Sequence, residues 1–275
     1  MNPELPVFFD THAHLDFPDF QEDLPQVIER ATAQGIRRIF SIGTDLVSSG
    51  RAIQLAEQHP NVFAVAGWHP CHVEEAPEDI RPELRRMAKH PKVVAIGESG
   101  LDYHRLPAEG GPEGGGAVEA LKARQAALFR QQLEVAADSG LNCMIHQRDA
   151  LEDTLRILAP FAGRVRGQFH CFVDGPEAMR RIVDMGSVVS FTGIITFKNA
   201  ATVRETAAAV PADAFLLETD CPYLAPVPDR GKRCEPAHVR AIAAKVAEVR
   251  GCSLEALSEA TCATALAFFP RLTLD

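Results

Sequence analysis

Eight short apolar runs alternate with amphipathic segments along nearly the whole chain, and this alternation most constrains how the chain can fold. The runs predict eight strands, at residues 7–10, 36–42, 62–67, 93–97, 142–146, 166–170, 188–191 and 215–219. Helical patterns follow them at residues 24–34, 48–58, 82–90, 118–139, 150–158, 176–184, 201–208 and 236–249, with a further one at about 253–268. Strands that alternate with helices in this way form parallel sheets.

Two parallel-sheet folds compete for this pattern. A doubly wound open sheet usually has about six strands and a long glycine motif, and the chain shows more strands and no such motif. A (β/α)₈ barrel typically takes about 250 residues, and the chain has 275. We therefore predict an α/β protein with a single (β/α)₈ TIM barrel, as one domain over residues 1–275.

The chain carries none of the sequence signals of a membrane or secreted protein. No apolar run reaches the roughly 18 residues that a membrane helix needs, and the N-terminus does not resemble a cleavable leader. The 7 cysteines include no closely spaced CxxC pair, which favours reduced thiols over a disulfide framework. These features predict a soluble cytoplasmic protein with no membrane partner. They do not predict an oligomeric state.

The first predicted strand ends in a pair of histidines, His12 and His14. Residues i and i+2 of a strand point to the same side, so the two imidazoles can approach one point. Neutral imidazole is the commonest side-chain metal ligand. A His-x-His pair alone is weak evidence, but its position at the end of a first barrel strand favours a metal site.

Four further metal-competent side chains lie at or just after the ends of later strands: Glu98, His146, His170 and Asp220. The carboxyl ends of barrel strands are where barrel active sites are built. Imidazole and carboxylate together suit Zn²⁺, Mn²⁺ or Mg²⁺. Six ligands are too many for one open tetrahedral ion, so the set predicts two divalent ions that share a carboxylate.

Seven ordered motifs make the chain resemble the TatD-family deoxyribonucleases, which belong to the metal-dependent amidohydrolase-like barrels. The motifs are DTHAHLD at 10–16, GWHP at 67–70, GESGLDY at 97–103, HQR at 146–148, FHCF at 169–172, ETDCPYL at 218–224 and RGKR at 230–233. The resemblance implies a divalent-metal-dependent hydrolase. It further implies a DNase that cleaves phosphodiester bonds as a 3′→5′ exonuclease.

The resemblance also implies how the ligands are shared between the ions. One ion would be bound by four residues: His12, His14, Glu98 and Asp220. The second would be bound by Glu98, His146 and His170, with Glu98 as the bridge. Asp220 would also accept the nucleophile's proton, a general-base role; the competing interpretation is that Asp220 caps the turn at Cys221 and Pro222.

Five residues are predicted to contact the substrate, each with a structural alternative. They are His69, Tyr103, Arg148, Lys198 and Arg230. His69 is expected to contact phosphate or sugar by resemblance, or to cap the turn at Pro70. Tyr103 would stack on a base, bind phosphate or pack at the barrel rim.

Lys198 and Arg230 follow strands seven and eight, where barrels often bind phosphate. Arg148 lies two residues past His146, on the same side of the strand, and a guanidinium suits bidentate phosphate binding. Arg148 could instead form an ion pair with Asp149 or Glu152. The neighbouring Lys232 and Arg233 could join a phosphate-binding patch or belong to a solvated surface.

The formal net charge of −9 argues against a protein that coats duplex DNA, because such proteins are basic. The predicted partner is therefore nucleic acid held locally, with DNA ends or single strands favoured. A D-aminoacyl-tRNA deacylase or another metal-dependent ester or amide hydrolase is the alternative. A metal-stabilised binding scaffold is disfavoured, since a structural site needs no spare carboxylate such as Asp220.

Residues 106–116 are rich in glycine and proline, a composition that opposes helix and strand. They predict a mobile surface loop after the fourth strand; the alternative is a lid over the active face.

Overall fold

Eight parallel strands form one sheet in which each strand pairs with the next along the chain. The computed structural model describes residues 5–107 and 114–272. The strands are β1 (Phe8–Ala13), β2 (Ile36–Ile42), β3 (Val62–Ala66), β4 (Val93–Asp102), β5 (Asn142–Arg148), β6 (Gly167–Phe169), β7 (Val188–Phe191) and β8 (Phe215–Leu217). Strands that are consecutive in the chain are also neighbours in the sheet from β1 to β8, as in a (β/α)₈ barrel, so the predicted fold class is confirmed.

Helices follow the strands as the sequence predicted. They are α1 (Leu24–Ala33), α2 (Leu46–Gln58), α3 (Arg81–Met87), α4 (Gly114–Ser139), α5 (Leu151–Leu158), α6 (Pro176–Asp184), α7 (Ala201–Ala209), α8 (Val239–Arg250) and α9 (Leu254–Phe268). None of the helices in the described ranges is both long enough and apolar enough to cross a bilayer. All 7 cysteines are free thiols.

Side chains that alternate along the strands pack into two separate cores. Phe8 and Ile39 belong to a core that includes helix residues such as Val27. Their neighbours Phe9 and Phe40 belong to a second core, together with residues from the end of α9. Because successive side chains of a strand point to opposite faces, one core lies between the sheet and its helices and the other fills the barrel.

Hydrogen bonds between β1 and the residues after β8 close the barrel. The Asp10 carboxylate accepts from the backbone N–H of Thr219 at 2.9 Å and from its hydroxyl at 2.6 Å. The backbone N–H of Asp220 donates to the carbonyl of His12 at 2.9 Å. This closure places Asp220 beside the histidine pair of β1.

Strand β4 runs five residues further than predicted, to Asp102 instead of Gly97. A register shift between Ile96 and Ser99 interrupts its pairing with β5, which then resumes through Asp102. At Gly100 the backbone of β4 lies very close to that of β5. Its φ is +131°, and a Cβ there would overlap the carbonyl of His146. A glycine is therefore required at this position. The predicted strand end at Gly97 was wrong because the bulge lets the strand continue past its glycines.

The predicted glycine-rich loop is shorter than expected at its C-terminal end. Helix α4 begins at Gly114, so residues 114–116 are helical and the prediction of a loop there was wrong. Residues 108–113, the centre of the proposed lid, lie outside the described residues. The remaining 23 residues of α4, from Ala117 on, override the local preference of its first three glycines.

Arg233 connects the segment after β8 to the start of α1. Its guanidinium donates to both carboxylate oxygens of Asp23, at 2.8 and 2.7 Å, and to Glu235 at 2.8 Å. Arg30 completes the network through Glu235 at 2.7 Å. Arg233 therefore has a structural partner, which favours the surface interpretation over phosphate binding.

We expect Arg233→Ala to lower the Tm by roughly 2–4 °C at pH 7, because it removes this bidentate link. The hydrogen bond from Arg233 lowers the pKa of Asp23 to about 2. A lowered folded-state pKa gives stabilisation that is present above the ordinary value of about 4 and is lost below it. Thermal unfolding of wild type and variant should therefore converge toward pH 2–3, while Lys232→Ala, with one exposed ion pair, should match wild type throughout.

Candidate metal centre

The Glu98 carboxylate lies at the centre of the predicted ligands and is only 2 % exposed. Its Oε2 is 3.3 Å from Nε2 of His12. Its Oε1 is 2.8 Å from Nε2 of His170 and 3.0 Å from Nδ1 of His146. The two oxygens of one carboxylate thus face two different groups of histidines.

Glu98 Oε2 joins the first group, which contains His12, His14 and Asp220. The Nε2 atoms of His12 and His14 are 3.3 Å apart, and Oδ1 of Asp220 lies 3.6 and 3.4 Å from them. Four ligands at about 2.1 Å from one ion lie roughly 3.4 Å from one another in a tetrahedron. The donor atoms of His12, His14 and Asp220 therefore have the spacing of ligands of one ion.

Glu98 Oε1 joins the second group, which contains His146, His170 and also His69. Nδ1 of His146 is 3.2 Å from Nε2 of His170 and 3.3 Å from Nε2 of His69. The His69 nitrogen is also 3.2 Å from Glu98. His69 was predicted as a substrate contact, but the structure places it among atoms that could hold a metal ion. Its Nδ1 accepts from the N–H of Cys71 at 3.0 Å, so the turn-capping alternative also applies.

The chemistry of these donors fits divalent ions. Buried imidazole nitrogens of His12 and His14 face each other within 3.3 Å, an arrangement in which two lone pairs repel unless a cation or proton lies between them. No cysteine contributes to any of the candidate ligand groups among residues 5–107 and 114–272. Nitrogen and oxygen ligands of this kind suit Zn²⁺ or Mn²⁺.

The pKa values of His170 and His12 indicate which imidazole is protonated when no metal ion is bound. Burial by itself lowers the pKa of His170, but the carboxylates of Glu98 and Glu218 raise it to about 9. Burial lowers the pKa of His12 to about 4, which keeps that imidazole neutral. Because this raised pKa favours protonated His170 at neutral pH, a metal ion can bind there only when His170 loses that proton.

Two buried carboxylates lie behind the histidines of the second group, and one of them, Asp102, is within hydrogen-bond distance of its histidine. Oδ2 of Asp102 is 2.9 Å from Nε2 of His146, which leaves Nδ1 directed at the centre. Oε1 of Glu218 lies 3.8 Å from Nδ1 of His170. Sequence reasoning assigned neither role. The period of two from Glu98 to Asp102 along β4 was the signal that could have identified Asp102.

We expect Asp102→Asn to weaken metal binding by roughly 10- to 100-fold, since outer carboxylates fix the orientation and basicity of ligand histidines. Isothermal titration calorimetry with Mn²⁺, on protein from which a chelator has removed the metal, would measure the change in affinity. Asp153→Asn is the matched control, because Asp153 binds the Tyr103 hydroxyl and Arg156 instead of a candidate ligand. An unchanged Mn²⁺ affinity in Asp102→Asn would refute this role.

The centre opens into a pocket of about 200 Å³. Six candidate ligands contribute to its wall: His14, His69, Glu98, His146, His170 and Asp220. Five other residues complete it, none of which was predicted from the sequence: Phe17, Thr44, His72, Arg105 and Tyr223. All five follow strands in the chain; Tyr223 lies in the ETDCPYL motif, and no sequence pattern distinguishes the other four from other loop residues.

Four of the predicted substrate contacts do not line this pocket in the described structure. The Tyr103 hydroxyl donates to Asp153 at 2.7 Å. The Arg230 guanidinium lies over the Phe197 ring at 4.4 Å. Arg148 and Lys198 are exposed. The predicted pairing of Arg148 with Asp149 or Glu152 is not seen, since those carboxylates contact His104 and Arg181 instead.

Comparison with known proteins assigns the family. A sequence profile described as "TatD related DNase" matches residues 9–270. The chain belongs to the TatD family. It is 38 % identical to the uncharacterized metal-dependent hydrolase YabD of Bacillus subtilis, over 96 % of this chain and 99 % of that protein. A TatD-family protein with these relatives is a metal-dependent hydrolase that acts on ester bonds.

Two other relatives bear on the TatD assignment. The chain is 34 % identical to a protein of Erwinia amylovora named 3′-5′ ssDNA/RNA exonuclease TatD, over 95 % of this chain and 99 % of that protein. The crystal structure of YjjV, a TatD homolog from Escherichia coli, superposes with a TM-score of 0.86 at 27 % identity, covering 96 % of this chain and 98 % of that one. The predicted TatD resemblance is confirmed.

Proposed function

We propose that this TatD-family protein is a 3′→5′ exonuclease that hydrolyses phosphodiester bonds at single-stranded nucleic-acid ends, using two divalent ions bridged by Glu98. The observation that supports it most directly is that Glu98 directs Oε2 at one group of ligands and Oε1 at another. The exonuclease name of the Erwinia relative supports the substrate and the direction of cleavage.

In this proposal His12, His14, Glu98 and Asp220 hold one ion, and Glu98, His146 and His170 hold the other. His69, whose Nε2 is 3.2 Å from Oε1 of Glu98, would be a further ligand of the second ion. When bound, the ions supply positive charge that polarises a phosphoryl oxygen and makes water more acidic. Of the predicted ions Zn²⁺, Mn²⁺ and Mg²⁺, a histidine-rich shell suits Mg²⁺ least.

Asp220 is the group best placed to take the proton of the attacking water. Its side chain is 16 % exposed and lines the pocket, whereas the Glu98 side chain is 3 % exposed. Burial raises the pKa of Asp220, but the His14 hydrogen bond and nearby histidine charges outweigh burial and lower it below its usual value. An ionised carboxylate open to the pocket can act as the general base.

Arg105 is the residue best placed to bind a substrate phosphate. Among the described residues that line the pocket it is the one arginine or lysine. Its backbone N–H donates to Oδ1 of Asp102 at 2.9 Å, so its position is tied to the carboxylate that orients His146. We propose Arg148, Lys198 and Arg230 as outer contacts along the substrate strand, and Tyr103, whose hydroxyl donates to Asp153, as a packing residue at the barrel rim.

We expect Arg105→Ala to raise KM for a single-stranded oligonucleotide more than it lowers kcat. Loss of one phosphate contact should reduce the slope of log KM against log salt by about 0.7. The measurement is KM at several salt concentrations. Lys232→Ala removes an equal charge that is 73 % exposed and paired with Asp229, and it should leave the slope unchanged. Equal effects of both variants would contradict a local phosphate contact.

A substrate panel with the metal-reconstituted protein tests the function itself. It contains a single-stranded oligonucleotide, the same oligonucleotide blocked at its 3′ end, a covalently closed circle and a D-aminoacyl-tRNA. The proposal expects mononucleotide release from the open strand and none from the circle or the blocked end. Deacylation without release of nucleotides would overturn it. The cytoplasmic location stays a prediction.

A further inference from the structure

Two aromatic residues, Phe17 and Tyr223, stand at the mouth of the pocket beside the first ligand group. Each is fixed to a predicted metal ligand through the backbone. The N–H of Phe17 donates to the carbonyl of His14 at 3.2 Å, and the N–H of Tyr223 donates to the carbonyl of Asp220 at 3.0 Å. Short turns therefore hold both rings at a set distance from the reacting centre.

The rings also contact each other and the centre. Phe17 stacks on the His14 imidazole, with centroids 4.7 Å apart and planes at 22°. Tyr223 meets Phe17 nearly edge-on, at 6.2 Å and 79°. Tyr223 itself is 55 % exposed. The tyrosine ring is thus supported from one side and open to a ligand on another.

The pocket differs in character from one side to the other. Phe17 and Tyr223 follow the neighbouring strands β1 and β8, while Arg105 follows β4, which lies across an eight-stranded barrel from β8. Glu98 and five histidines line the same pocket. An aromatic wall, a central ligand cluster and a cation match, in that order, a base, a scissile phosphodiester and the next phosphate.

We infer that Tyr223, supported by Phe17, stacks on the unpaired base of the 3′-terminal nucleotide; this rests on the proposed exonuclease function and adds the substrate feature that the site selects. Stacking on an aromatic side chain contributes about 1–3 kcal/mol per base and tolerates every base, because each has a π-face. In a duplex the terminal base is hydrogen-bonded to its partner and stacked on the preceding pair, so it reaches the Tyr223 ring only after unpairing, which costs a few kcal/mol. The aromatic wall therefore makes the site selective for single strands without making it sequence-specific.

The test compares Tyr223→Ala and Tyr223→Phe on two oligonucleotides that differ only in whether the 3′-terminal nucleotide carries its base. On the complete strand, Tyr223→Ala should raise KM about 5- to 150-fold, and Tyr223→Phe should stay near wild type. On the abasic strand, all three proteins should have the same raised KM. A loss in Tyr223→Ala that is equally large on both strands, or a loss on neither, would overturn the inference.

A binding measurement separates this inference from the hydrolytic function. An oligonucleotide with 2-aminopurine at its 3′ end is mixed with metal-reconstituted Asp220→Asn protein, and quenching of its fluorescence reports stacking. We expect quenching with Asp220→Asn and little with Asp220→Asn/Tyr223→Ala. Equal quenching by both would refute the stacking role. If wild type hydrolyses no member of the substrate panel, the proposed function fails while this result still decides where the base lies.

Discussion

Replacing Asp220 by asparagine lowers kcat on a single-stranded oligonucleotide by at least about 10²- to 10⁴-fold, the range that a general base contributes. Asparagine keeps the shape of the side chain but removes its charge and its ability to accept the proton. The loss should exceed that range if the substitution also weakens the binding of the ion at His12 and His14. KM should change less, because Asp220 acts on the reacting water.

The fold of Asp220→Asn should be retained. The residue occupies the left-handed region at φ 59°, a backbone conformation that asparagine adopts as readily as aspartate. Asp229→Asn is the control, since Asp229 lies in the same segment but pairs with Lys232 outside the pocket. Near wild-type turnover in Asp220→Asn, with metal content unchanged, would refute the assignment of the base.

Replacing Glu98 by glutamine should have the largest effect, because it acts on both ligand groups. The amide keeps the volume of the side chain but presents one oxygen where the carboxylate presents two. We expect the number of bound ions to fall from two to one or fewer, and activity to fall by more than in Asp220→Asn. Elemental analysis after reconstitution and removal of free metal measures the first, and a single-turnover assay the second.

Glu218→Gln is the matched control for the Glu98 substitution. Glu218 is equally buried, and it accepts hydrogen bonds from Ser190 and the N–H of Cys171 behind His170. Its carboxylate lies outside all the candidate ligand groups of the described residues. Glu218→Gln should therefore still bind two ions at saturation. Two ions in Glu98→Gln, or one in both variants, would contradict a role specific to Glu98.

The sequence predicted the fold, and the six side chains that it proposed as metal ligands lie in one cluster with His69, which it had assigned to substrate. His12, His146 and His170 lie at or near the ends of strands, and parallel strands in a barrel bring their ends to one face. The strand boundaries were less predictable. At the bulge between Ile96 and Ser99, β4 continues past Gly97, which the sequence pattern had indicated as the strand end.

The remaining parts of the site depend on which loops meet in space, and chain position does not encode that. Arg148, Lys198 and Arg230 were chosen because they follow late strands, yet the cation in the pocket wall is Arg105, after β4. Phe17 gives no local signal either, since its role follows from contacts with His14 and with Tyr223, more than 200 residues away.

The measurement that tests the central claim most directly is anomalous diffraction from crystals of the Mn²⁺-reconstituted protein. The account predicts two peaks, one next to Oε2 of Glu98 with His12, His14 and Asp220, and one next to Oε1 with His146 and His170. The same crystals of Glu98→Gln should lose at least one of them. A single peak at saturating Mn²⁺, or two peaks that Glu98 does not join, would contradict the bridged two-ion centre.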